Sequence, residues 1–241
     1  MLEKTWRQMK DEIEQNTVVI IPVGSIEQHG LHAPLGTDLI IAKALAEKVE
    51  SYQNTIIGPA VPVGVAEYHR HFTGTLWVKP EIFKDYVGEI VKSFSYHGWR
   101  KVIIVNGHGG NREPLKELAR YLKMEEKINM VVWTWFESIE NEIIKIFGHR
   151  PPLHADQAET AMLMAIAPEL IVEEQLEESY KQGSKVWGQY YAGTMVSQEV
   201  RDFSKSGATG DPTATDVENG KKMLIKSTEN LKELIDYLIS L

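Results

Sequence analysis

Apolar positions along this chain fall into two recurring patterns, short runs of branched aliphatics and longer stretches at helical spacing. Val18-Val19-Ile20-Ile21 is unbroken by any polar residue, which predicts a strand buried on both faces of a parallel sheet rather than an edge strand with one wet side. Lys101 to Val105 and Asn129 to Thr134 predict two more strands, and Thr55 to Ile57 a short fourth. Helices are predicted between them. Glu3 to Gln15 places Trp6, Met9 and Ile13 on one side, and Asp38 to Glu50 has a broad apolar face built from Leu39, Ala42, Leu45, Ala46 and Val49. Glu81 to Tyr96 follows Pro80, whose missing N–H costs nothing in a first turn, and stops at Gly98. Arg112 to Glu125 and Glu137 to Phe147 continue the series, with a break from Gly148 to Pro152.

The second half reads less evenly. Asp156 to Ala167 is almost wholly apolar after Glu159, which predicts a buried helix, and Thr215 to Leu241 predicts a long closing helix interrupted only at Gly220. Pro59 and Pro62 keep 59–64 out of the sheet centre, since neither can donate a ladder bond. Tyr180 to Ser206 mixes Gly, Ser, Trp and Tyr without a firm period, and predicts loops and short strands covering a site. Strands alternating with helices predict an α/β fold, a three-layer α/β/α sandwich on a mainly parallel central sheet. With no linker or charge block to divide it, 1–241 is expected to be one domain.

Composition narrows the function. A net charge of −8, with scattered Lys and Arg, argues against a nucleic-acid partner, which needs clustered basic residues to displace counterions. No apolar run approaches the roughly 20 residues of a membrane span, and the first residues do not read as a signal peptide, so a cytoplasmic location is expected. Zero cysteines remove disulfides, thiolate catalysis and Cys-based zinc sites, leaving His, Asp, Glu, Ser, Lys and Tyr to do any chemistry.

Those residues crowd the end of the first strand. Glu27, His29, His32 and Asp38 lie within twelve positions, just beyond Gly24, where ligands of open α/β sheets bind. Divalent cations take carboxylate oxygens and imidazole nitrogens, and Glu-x-His in extended backbone sends both side chains to one face. The competing reading makes Asp38 a helix cap and leaves Glu27 and His29 solvated. His108 follows the second long strand in Asn106-Gly107-His108-Gly109-Gly110-Asn111, whose glycines let backbone approach an ion or a substrate, while Asn111 is placed to cap the next helix. Asp156 with Glu159 three residues on is a capping-box pattern, yet a carboxylate heading an apolar helix is costly unless paired or bound to metal. His69 and His71 either face the site from their loop or bond locally, and His97 and His149 are expected to be structural or exposed. Trp133, Trp135, Trp187 and Tyr190 are candidates for an aromatic wall, with core packing favoured for the first two.

GSIEQHGLHAPLGTD (24–38) closely resembles the signature of the creatininase family, and NGHGGN (106–111), HADQAET (154–160) and GATGDPTAT (207–215) resemble its further motifs in the same order. The resemblance spans most of the chain and implies a creatininase-like fold with two divalent ions per subunit, Zn, Mn or Fe. It assigns Glu27 and His108 to one ion, His29 to the other, and Asp38 to both. His154 is implied as general acid or base. Creatininase itself has a glutamate where this chain has Gly110, which leaves the second ion one ligand short, and Glu159 is the expected replacement with a part in catalysis. Gly109, His69, His71 and Trp187 are candidates for substrate contact. The implied reaction is metal-assisted hydrolysis of a small, cyclic amide. The rivals are C–C cleavage of an inositol-derived cyclic diketone and a non-catalytic metal or ligand-binding role. A homo-oligomer, hexameric in many relatives, is implied as well.

Overall fold

A computed structural model describes residues 1–13, 17–149 and 154–241. Its elements follow the predicted alternation: α1 (Trp6–Ile13), β1 (Val18–Val23), α2 (Thr37–Glu47), β2 (Thr55–Ile57), α3 (Pro80–Tyr96), β3 (Lys101–Asn106), α4 (Arg112–Glu125) and β4 (Asn129–Thr134). Then come α5 (Trp135–Ser138), α6 (Glu140–Phe147), α7 (Gln157–Ile166), α8 (Leu176–Gln182), the hairpin β5 (Gln189–Tyr191) and β6 (Thr194–Ser197), and α9 (Val217–Ser240). The four long-range strands pair in parallel in the order β2-β1-β3-β4.

The period of two in a strand decides the layers. Val18 and Ile20 of β1, with Ile103 and Val105 of β3, pack against α2, α7 and α9 through Ile41, Leu45, Met162, Met223 and Leu231. Val19, Ile21 and Val23, with Val102 and Ile104, face the opposite way onto α3 and α4 through Phe83, Val87, Leu115 and Leu122. Both faces of the central strands are therefore dry, as the aliphatic run of β1 requires, and the architecture is the expected α/β/α sandwich. The chain leaves β1 through α2 on one face, and returns from β2 through α3 on the other. The carboxyl ends of β1 and β3 thus form a switch point, a crevice with connections running away on opposite sides. Gly107 sits in that crevice because a Cβ there would strike the backbone of Asp38 at the start of α2.

Several local expectations change. The helix predicted over 137–147 is two helices, since Ile139 leaves helical geometry and caps both, and the first of them starts earlier, at Trp135. Gly220 does not interrupt α9. It lies where α9 crosses α7 so closely that a Cβ would run into the carbonyl of Ala161. Most of 180–206 has little regular structure, but its first residues complete α8 and its middle forms the antiparallel β5–β6 hairpin. Of the break predicted at 148–152, Gly148 ends α6 in a left-handed conformation, His149 is exposed, and 150–152 lie outside the described residues. Among the described residues no helix is long and apolar enough to cross a membrane.

Candidate metal centre

Four parts of the chain deliver the side chains. The loop after β1 carries Glu27 and His29, the first turn of α2 carries Asp38, and the loop after β3 carries His108. The first turn of α7 adds Glu159, and His154 stands just before it. All six are buried. His108 Nδ1 is 3.2 Å from Glu27 Oε2 and 3.2 Å from Asp38 Oδ2. His29 Nε2 is 3.2 Å from Asp38 Oδ1 and 3.7 Å from Glu159 Oε2. Glu27, Asp38 and His108 thus form one group able to hold a metal ion, His29, Asp38 and Glu159 a second, and the two oxygens of Asp38 point one to each.

Whether these residues suit a cation can be judged from their hydrogen bonds. Both oxygens of Glu27, Nε2 of His29, Oδ2 of Asp38 and Nε2 of His69 are buried without a hydrogen-bond partner. Buried carboxylates are normally satisfied, because an unmet charge is expensive. Orphaned atoms of both donor types converging on one point are what a cation would satisfy, and the donor set of imidazole and carboxylate fits Zn, Mn or Fe.

Electrostatics agree. Burial pushes the Glu27 carboxyl up, but His108 and His69 together hold it well below the usual carboxylate range. Burial pushes His29 down, yet Asp38, Glu159 and Glu27 raise it to about 10. His108 is likewise lifted well above the ordinary imidazole value, against burial, by Glu27, Tyr68 and Asp38. Glu159 is raised to about 8, first by burial and then by Asp38 and Asp156, with His29 opposing. The carboxylates draw protons onto histidines whose own burial resists them, so the cluster supplies the negative potential that a divalent ion would neutralise. His154 goes the other way: burial, His69 and His29 hold it well below its ordinary value and keep it neutral.

The surroundings explain residues that the motifs leave unassigned. Asp38 does not cap α2, and its carboxylate faces the histidines instead. Asn111 does not cap α4. It bridges the two strand ends and the next loop, donating to Gly24 O at 2.9 Å and accepting from Val65 N at 2.9 Å. Gly110 cannot carry a side chain here, because a Cβ would meet the hydroxyl of Tyr68, the carbonyl of Val65 and the ring of His108. Tyr68 thereby closes the direction from which a carboxylate at 110 would approach, and Glu159 comes from the opposite layer. Glu159 is also a cap of sorts. Its Oε2 accepts from Ala155 N at 2.5 Å, while Asp156 accepts from Ala158 N and Glu159 N. Ala155 is held at φ 49°, a left-handed conformation that costs an alanine about 1–2 kcal/mol.

A cavity of about 470 Å³ opens onto the cluster, lined among others by Glu27, Asp38, His69, His108, Gly109, His154, Glu159 and Trp187. Trp187 stands edge-on to His154 and Tyr68, with ring centroids 5.6 Å apart in each case. His69 is fully buried with Nε2 3.2 Å from Glu27 Oε1. His71 is not brought in. It lies outside the cavity lining, paired with Glu199 at 3.1 Å and with Arg201 at 3.2 Å on the rim. Trp133 and Trp135 are core, Tyr190 is on the exposed hairpin, and His97 and His149 are exposed. His32 is buried beneath the site between Ser179 and Thr160. Sequence reasoning passed over Tyr68 and Gln28. A glutamine flanked on both sides by ligand-type residues was the one available signal for Gln28.

Fold and site together define an α/β protein with three overlapping metal-competent groups at the switch point of a parallel sheet, the third made by Glu27, His29 and His154. Residues 2–235 match the family model described as Creatininase: Creatinine amidohydrolase, and the chain belongs to the creatininase family of hydrolases. Among curated relatives, the 3-dehydro-scyllo-inosose hydrolase of Thermotoga maritima is 28% identical over 97% of this chain and 79% of its own. The mycofactocin precursor peptide peptidase of Mycobacterium ulcerans is 27% identical over 88% of this chain and 82% of its own. Among solved structures, a tryptophan-to-alanine mutant of creatininase superposes with a TM-score of 0.86 over 99% of this chain and 98% of its own, at 18% identity, a likeness of fold.

Proposed function

We propose that this chain is a metal-dependent amidohydrolase that opens a small, cyclic amide. The observation that carries the reading is the convergence of unpartnered buried atoms from Glu27, His29 and Asp38 beside the cavity. In this reading Glu27, Asp38 and His108 hold one divalent ion and His29, Asp38 and Glu159 a second, with Asp38 shared. Two such ions, when bound, polarise a carbonyl and make water acidic enough to attack near neutral pH. The protein's own part is to place the substrate. Trp187 and Tyr68 wall the cavity for a flat ring, Gly109 leaves the backbone open beside it, and His154 turns Nδ1 towards Glu27 Oε1 at 3.7 Å, where it would serve the leaving nitrogen. His71 has no place in this arrangement. A second reading, hydrolysis of a C–C bond in a cyclic diketone, is favoured by the name of the Thermotoga maritima relative. Assembly into a homo-oligomer is proposed from the family resemblance.

The test is to load the protein with zinc or manganese, count ions per chain, and follow hydrolysis of cyclic amides, formamides, short peptides and a cyclic diketone, with chelated protein as control. Turnover of a cyclic amide that chelation abolishes is expected. Turnover of the diketone alone moves the assignment to C–C cleavage, and two bound ions with no turnover of anything leave a binding protein.

A further inference from the structure

Gln28 lies between Glu27 and His29, is 4% exposed, and takes no part in the carboxylate cluster. Its Nε2 is 2.7 Å from His69 Nδ1, 2.7 Å from His154 Nε2 and 3.1 Å from the carbonyl of Gly207. Its Oε1 accepts from Gly30 N at 2.9 Å. These contacts decide which end of the carboxamide is which. Reversed, it would set an oxygen against the Gly207 carbonyl and an amino group against the Gly30 N–H, leaving both buried groups facing their own kind. Nε2 is therefore the end that meets the two imidazoles, and it can only donate. Two N–H bonds serve three acceptors, with the ring nitrogens at the shorter distances.

A ring nitrogen that accepts carries no proton. His69 Nδ1 and His154 Nε2 are then bare, and in the neutral rings the protons sit on His69 Nε2 and His154 Nδ1. Those two atoms are the ones that face Glu27 Oε1, at 3.2 and 3.7 Å. The two histidines hold opposite tautomers and aim both N–H bonds at one place. The fourth sequence motif builds the frame for this. Gly207, at φ +88°, leaves room that a Cβ would take from the Gln28 carboxamide, and the N–H and hydroxyl of Thr209 both bond the carbonyl of His154 at 3.0 Å.

We infer that Gln28 is a positioning residue that sets the tautomers of two histidines in the resting site, with the proton of His154 on Nδ1 and that of His69 on Nε2. The inference rests on the hydrolytic reading above. A base would need its lone pair at Nδ1, which puts the proton on Nε2, against a second donor 2.7 Å away; an imidazolium meets the same conflict. A fixed N–H in a dry site suits charge that develops on a substrate oxygen or nitrogen as water adds to the carbonyl.

The test reads the tautomers directly. In zinc-loaded protein labelled with ¹⁵N at histidine, long-range ¹H–¹⁵N correlation separates a protonated, a bare and a metal-bound ring nitrogen. The expected spectrum has His154 protonated at Nδ1 and bare at Nε2, with His69 the reverse. Gln28→Glu keeps the shape but offers only acceptors, so both histidines should turn over, His154 to Nε2–H and His69 to Nδ1–H. Gln28→Met, which offers neither donor nor acceptor, should give a mixture. A bare or metal-bound Nδ1 on His154 in the wild type overturns the proposal, as do unchanged tautomers in folded Gln28→Glu, the outcome expected of a residue that only fills space. Should the glutamate variant fail to fold, the wild-type spectrum still decides. No substrate is needed, so failure to hydrolyse any amide sinks the hydrolytic reading without altering the spectrum.

Discussion

The two carboxylate–histidine clusters share Asp38 and differ in what holds the rest of them. Glu27, Asp38 and His108 come from the ends of β1 and β3 and the first turn of α2, three points tied together around the switch point by Asn106 and Asn111. His29, Asp38 and Glu159 take their last member from α7, a helix of the outer layer that packs against α2 and α9 in the core on one face of the sheet. The first cluster is thus held by the ends of adjacent strands and α2, whereas the second depends also on where α7 packs. A site of this kind can lose or change half of itself without losing the fold. Gly110 illustrates the freedom, because a ligand position on the sheet side is closed by Tyr68 while the opposite layer brings a carboxylate to His29.

The strongest way to break the comparison is to remove what the halves have in common. Asp38→Asn leaves an amide that cannot serve two cations, and both ions should be lost along with all metal-dependent turnover. Elemental analysis after dialysis checks this, and two ions retained at wild-type affinity would show that Asp38 is not shared.

A smaller effect should appear where α7 is strapped to the first loop. His32 joins Thr160 of α7, at 2.9 Å, to Ser179 of α8, at 3.0 Å, and is pushed down from 6.5 to about 4 by burial and then by His29. With the folded value below the unfolded one, the unfolded chain binds more protons between pH 6.5 and 4, so stability rises with pH across that window. The contribution is fully present above about pH 6.5 and is lost as pH falls towards 4, amounting to about 3 kcal/mol at most. Urea unfolding of the wild type and His32→Gln over this range should show the variant with the shallower slope. Equal slopes would mean that His32 is not the group that titrates.

How much of this was legible depends on the range of the interactions involved. The layers were readable because the β1 run and the helical spacings are local patterns that tertiary packing did not override. Glu27, His29, Asp38 and His108 were readable as candidates because loops at strand ends concentrate them in short stretches. Capping, in contrast, was over-read. Asn111 occupies a cap-like position by sequence, but it finds distant partners in Gly24 and Val65 that local reasoning cannot see. Gln28 was passed over for the same reason, since its partners lie 41, 126 and 179 residues away. His71 was drawn towards the site by its nearness to His69, when the short helical turn at 67–69 buries one and leaves the other on the rim. The division of 135–147 into two helices was hidden because Ile139 packs in the core like the helical residues around it.

The finest comparison is between the two possible duties of Glu159. Its carboxylate both accepts from Ala155 N and lies 3.7 Å from His29, so capping and ligation are not exclusive in this geometry. Glu159→Gln separates them, because a carboxamide keeps an oxygen for the Ala155 N–H while giving up the charge. Stability should therefore change by less than the about 0.5–2 kcal/mol of a lost cap. Metal titration should show something else: the ion beside His29 weakens specifically, the ion held by Glu27, Asp38 and His108 stays, and one metal per chain remains. If the variant keeps both ions at wild-type affinity, Glu159 is a cap alone. The second ion would then need another partner, with His154, which forms a metal-competent group with Glu27 and His29, next in line.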